Sequence, residues 1–89
     1  MQLKTTIEVW RKGEWYVASC PELDFVAQGC SAEEARRNLL EVFEIQFEEM
    51  RNLGTLDDYL LECGYLKQDD IFVPQSKMVS FEKSAVQVG

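Results

Sequence analysis

Histidine is missing from this 89-residue chain, and with it goes the usual general base that activates a serine or cysteine nucleophile. Its absence also weakens any zinc reading, because Cys20, Cys30 and Cys63 form no Cys-x-x-Cys pair. An odd cysteine count of this kind predicts three reduced, half-buried thiols in a reducing compartment rather than a disulfide framework. The five glycines are scattered, and none builds a Gly-rich loop ahead of a helix with a lysine, so a phosphate cradle is not expected. No stretch approaches the roughly 18 to 20 apolar residues that cross a membrane. The opening MQLKTT has no apolar core of signal-peptide length. The expectation is a soluble, cytoplasmic protein without a membrane partner.

Basic side chains are scarce too. Nine lysines and arginines face sixteen acidic residues, for a formal net charge of −7. That field repels nucleic-acid phosphates and attracts a basic protein. The only adjacent basic pairs are Arg11-Lys12 and Arg36-Arg37, poor material for a nucleic-acid groove, so no direct DNA binding is expected.

What is present suits one packed core: 46% of the residues are hydrophobic and two are tryptophan. Residues 1–89 read as a single domain with no internal repeat or low-complexity tract. A domain this small also gains from pairing with a copy of itself. Leu3, Thr5, Ile7 and Val9 alternate with Lys4, Thr6 and Glu8, the period of a half-buried strand. Gly13 marks a turn, and Glu14 to Cys20 resumes an extended run. With Lys12-Gly13 as the tip, Trp10 faces Trp15, Val9 faces Tyr16 and Ile7 faces Ala18. Ile7, Val9, Tyr16 and Ala18 then form the core face, while Trp10, Trp15 and Val17 form an unusually apolar outer face. Pro21 stops the pairing, and Phe25 to Cys30 returns as a third strand.

Ser31-Ala32-Glu33-Glu34 is a capping box. Behind it, Ala35, Leu39, Val42, Phe43, Phe47, Met50 and Leu53 recur at helical spacing, opposite Glu33, Arg37, Glu41, Glu44, Glu48 and Arg51. The spacing predicts a helix over Ala32 to Leu53, ended by Gly54. Thr55 caps a second, short helix that buries Leu56, Tyr59, Leu60 and Cys63 and closes at Gly64. After a polar loop, Lys77 to Phe81 is the expected last strand, and 84–89 are expected to fray. The predicted fold is therefore α+β: an antiparallel three-stranded meander, a long helix, a short helix and a fourth strand.

Catalytic candidates are weak. Cys20 stands at a strand end, an exposed kind of place, with no neighbouring cation in the sequence to favour its thiolate. Glu8, Glu22 and Asp24 could ligate a hard cation, but a chain this acidic clusters carboxylates by chance, and solvated surface is the preferred reading. No catalytic residue, metal or cofactor is assigned.

Gly13 to Ala35, GEWYVASCPELDFVAQGCSAEEA, resembles the HicB-like antitoxin family, through Tyr16, Ala18, Pro21, Glu22, Leu23, Gly29, Ser31, Glu34 and Ala35. Asp24 and Phe25 replace the family's Pro-Gly, and the similarity covers roughly residues 3 to 50. The resemblance implies a partial RNase H-like fold without nuclease activity. It also implies an antitoxin that neutralises a small basic mRNA-cleaving toxin, and assembly into dimers or larger oligomers. The C-terminal DNA-binding domain common in that family has no counterpart here. The alternative is a free-standing homo-oligomeric regulator or sensor with no toxin. On either reading, Trp10, Trp15 and Val17, with Glu22 and Asp24, are the candidate partner or oligomer interface.

Overall fold

The computed structural model describes residues 2–89. In chain order the elements are β1 (Gln2–Leu3), β2 (Glu8–Lys12), β3 (Trp15–Cys20), β4 (Phe25–Gly29), α1 (Ala32–Leu53), α2 (Leu56–Glu62), β5 (Tyr65–Gln68) and β6 (Ile71–Pro74). The fold is α+β, and the expected meander, long helix and short helix are all present. β2, β3 and β4 form one antiparallel sheet; β1, β6 and β5 form a second, in which β1 runs parallel to β6.

Three expectations change. The single first strand divides into β1 and β2, because residues 4–7 cross from one sheet to the other. Part of the reason is chemical: the Thr6 N–H and both threonine hydroxyls bond the Glu22 carboxylate rather than continuing a ladder. The hairpin register also differs. Trp10 pairs with Val17, Val9 with Ala18 and Lys12 with Trp15, so Gly13 and Glu14 form the turn. Gly13 takes φ +63 at its first position, where the commonest tight hairpin turns need a left-handed residue that glycine supplies without strain. The shift is by two residues, which preserves both faces and changes only who sits opposite whom. Finally, Lys77 to Phe81 is not a strand. The closing strands are β5 and β6, hinged at Asp69, which accepts φ +57.

α1 begins as the sequence dictates. The Ser31 hydroxyl accepts from the Glu34 N–H at 3.0 Å, while the Glu34 carboxylate reaches back to the N–H of Cys30, one residue before the cap. It ends on Gly54 in the left-handed region, with Gly54 N–H bonded to the Arg51 carbonyl and Thr55 N–H to that of Met50, a Schellman closure. Thr55 offers α2 no side-chain cap; its hydroxyl turns back to Met50 instead.

The helix lies across β4 and β3 more than β2, so Val9, on an edge strand, is less covered than its core-face position implies. Ala18, Cys20, Leu23, Ala35, Leu39, Phe43, Leu56, Leu60, Tyr65 and Phe72 make the core. Leu53, expected inside, is 70% exposed because the helix runs past the end of the sheet. Gly29 permits the close contact of helix and sheet: a Cβ there would stand 2.7 Å from the Ala35 backbone nitrogen. At the other end of β4, Phe25 packs edge-on against Phe43 at 5.4 Å and lies parallel to Tyr59 at 6.4 Å, arrangements that add to plain burial.

Candidate interaction site

Two surfaces carry the residues of interest. The first is a crevice of about 850 Å³ where the two sheets meet, bounded by Lys4, Thr6, Glu22, Cys63, Val73 and Met78. Its floor is a directed hydrogen-bond chain. The Tyr65 hydroxyl donates to Thr5 Oγ1 at 3.1 Å, and Thr5 donates to Glu22 Oε1 at 3.2 Å. Thr6 donates twice, from its N–H to Oε1 and from its hydroxyl to Oε2 at 2.8 Å. The Cys20 thiol joins the same cluster, 2.8 Å from Thr5 Oγ1, where either group can donate, and 3.6 Å from Glu22 Oε1, which accepts from it.

These contacts set the charges. Partial burial pushes the Glu22 carboxyl upward, but bonds from Thr6, from its own backbone N–H and from Thr5 outweigh it and hold the group below its ordinary range. Burial dominates at Cys20 and raises its thiol. Tyr65 is pushed up to about 12 by burial, and Tyr59 likewise by burial and its neighbour Cys63. Cys20, expected near the surface, is fully buried, so its thiol is a core group held in the protonated form. Of the other cysteines Cys63 is half-buried as expected, while Cys30 is exposed.

The second surface is the sheet face turned away from α1. Trp10, Trp15 and Val17 share it, as the alternation predicts, and β4 adds Val26 at 57% exposure. Trp10 and Trp15 are 41% and 49% exposed; they sit diagonally rather than opposite each other, with Lys12 across from Trp15. Extending the alternation through the turn into Phe25 to Gly29 is the signal that finds Val26. Thr5, Thr6 and Tyr65 had no such signal, since their contacts span up to sixty positions.

The candidate interface residues therefore separate. Trp10, Trp15 and Val17 lie toward the Gly13 turn, whereas Glu22 and Asp24 belong to the turn at the other end of β3. Asp24 takes φ +58, the left-handed geometry a glycine would adopt most easily. Glu22 faces the crevice. Among the described residues no group of three or more Cys, Asp or Glu side chains is placed to hold a metal ion, and Glu8, Glu22 and Asp24 do not converge on one. Nor, among them, is any helix long and apolar enough to cross a membrane.

Comparison with protein-family models, with curated proteins and with solved structures finds no match for this chain.

Proposed function

We propose that this chain is a HicB-like, antitoxin-type binding protein of the cytoplasm, built on a partial RNase H-like domain. It neutralises a small basic mRNA-cleaving toxin by protein–protein contact and catalyses nothing itself. The observation that carries this reading is the uncovered aromatic face of the meander, Trp10, Trp15 and Val26, on a chain of net charge −7. Rigid aromatics at the centre of an interface supply affinity, and an acidic surround speeds encounter with a basic partner. The Gly13 to Ala35 stretch, which carries the resemblance, supports it separately.

The test is affinity purification of the tagged protein from its native host. The expected result is co-purification of a small basic ribonuclease whose RNA cleavage stops when the purified chain is added back. Trp15→Glu should weaken that capture by about tenfold or more. Recovery of self-copies alone would leave the second reading, a homo-oligomeric regulator without a toxin. That reading is favoured by Val79, Phe81, Val86 and Val88, apolar side chains that the folded body of one chain leaves uncovered.

A further inference from the structure

The two edges of the meander are not equivalent. Gly13 and Glu14 make a two-residue turn, so Lys12 and Trp15 close it as a hydrogen-bonded pair. Hydrogen-bonded pairs then recur at Trp10–Val17 and Glu8–Ser19. Val9 and Arg11 must direct their N–H and C=O groups outward, to the free edge of β2. The same alternation carried through β3 turns the Gln28 carbonyl outward on β4, and there the Asn38 amide of α1 donates to it at 2.9 Å. On that edge the helix holds one carbonyl, that of Gln28. The other edge, β2, has no such partner among the described residues.

We propose that β2 pairs with β2 of a second copy of this chain, antiparallel about a two-fold axis at Trp10, joining two meanders into one six-stranded sheet. The strand is complementary to itself in this register. Glu8 lies opposite Lys12 of the second copy, and Lys12 opposite its Glu8, giving two opposite-charge pairs on one face. The two Trp10 indoles meet between them at a non-hydrogen-bonded position, where side chains approach most closely. Val9 and Arg11 of the second copy then exchange both backbone bonds across the seam, which satisfies every outward group these two residues present.

The neighbouring two-fold registers fail on charge. An axis at Val9 sets Glu8 against tryptophan and Arg11 against Ile7, leaving Lys12 unmatched by any carboxylate. An axis at Arg11 opposes two guanidinium groups. Charge complementarity thus selects both the occupant and the alignment. Five residues a side make a seam well below the roughly 1,200 Å² of a stable standard interface, so the dimer exchanges, with a Kd in about the micromolar range. The aromatic face stays open in this assembly and doubles in extent. The proposal specifies the self-association of the section above and stands with or without a toxin.

Sedimentation velocity over about 1 to 300 μM, bracketing the micromolar range, tests it. Wild type should move from monomer to dimer. Lys12→Glu and Glu8→Lys, each creating two like-charge oppositions, should raise Kd by about tenfold or more, and the double variant Glu8→Lys with Lys12→Glu should return it to within about threefold of wild type. Circular dichroism checks that each variant is folded. Independently, Trp10→Cys in a Cys30→Ser background should give a disulfide-linked dimer with oxidised glutathione, and Trp15→Cys should not, because only position 10 faces itself at bonding distance. A wild type that remains monomeric overturns the proposal. So does a dimer indifferent to either charge reversal, a double variant that is not rescued, or cross-linking through position 15 rather than 10. The first of these ends self-association itself, whereas the others reject only the β2 seam.

Discussion

Tyr65 donates its hydroxyl proton to Thr5 at 3.1 Å, joining residues sixty positions apart where the two sheets meet. The ring is 1% exposed, so the bond is shielded from competing water. Tyr65→Phe keeps the packing and removes the donor; it should lower unfolding free energy by about 1 kcal/mol, read from the urea midpoint at unchanged slope. A loss above about 3 kcal/mol would mean that the hydroxyl organises more than this chain of bonds.

Glu22 at the end of that chain has a pH signature. Its carboxyl is held below the ordinary value of 4.5 in the folded protein, so the folded state binds its proton less readily than the unfolded state. The stabilisation is therefore fully present above the unfolded value and fades as pH falls through the folded one. Glu22→Gln should lose stability at neutral pH and show a flatter acid limb below pH 4.5 than wild type, followed by thermal unfolding across that range. Parallel acid limbs in the two proteins would contradict the assignment.

Gly29 separates sheet from helix. Because a Cβ would meet backbone at 2.7 Å, Gly29→Ala should destabilise by about 1 to 3 kcal/mol, lowering Tm by roughly 4 to 8 °C per kcal/mol in a domain of this size. Gly13 lies in open space with φ +63; alanine there should strain only the turn, by about 1 kcal/mol.

The exposed and buried aromatics should respond oppositely. Phe43 sits in the core against Phe25 and Phe47, and Phe43→Ala should destabilise by about 3 to 5 kcal/mol. Trp15→Ala, on the open face, should change stability by less than about 1 kcal/mol while weakening partner capture. Equal losses in both would make the open face part of the core.

Beyond Gln75, whose N–H bonds the Gly64 carbonyl, no residue hydrogen-bonds to the body among the described residues. A chain ending at Met78 should unfold within about 0.5 kcal/mol of the full-length protein, by calorimetry on both.

Local chemistry made much of this molecule readable. Ser31 to Glu34 and Gly54 state both ends of α1 because capping involves only neighbouring residues. The Trp10, Trp15 and Val17 face was readable because side-chain parity survives a two-residue slip, whereas the opposite partner of Trp10 was not. That partner depends on whether Gly13 or Lys12 opens the turn, and the left-handed φ falls on Gly13. The stretch containing Asp69, Asp70 and Pro74 reads as a polar loop, although Tyr65 and Phe72 around it are core residues, because the two aspartates look like solvent-facing polarity until the left-handed turn at Asp69 is seen. The crevice was hidden for a simpler reason: its threonines and its tyrosine come from opposite ends of the chain.

The parallel pairing of Gln2 with Ile71 has a bearing on synthesis. β1 is made well before β6, the strand it must pair with. The meander and α1 are complete when Leu53 has emerged and can associate through short-range contacts, but the amino-terminal strand then has nothing to lie against. Its closure spans almost the whole chain, the slowest kind of contact to form. A chain cut short before Ile71 therefore leaves Gln2–Leu3 and Tyr65 without the strand both pair with, open to proteases. Formation of β6 and protection of Gln2 and Leu3 become the same event.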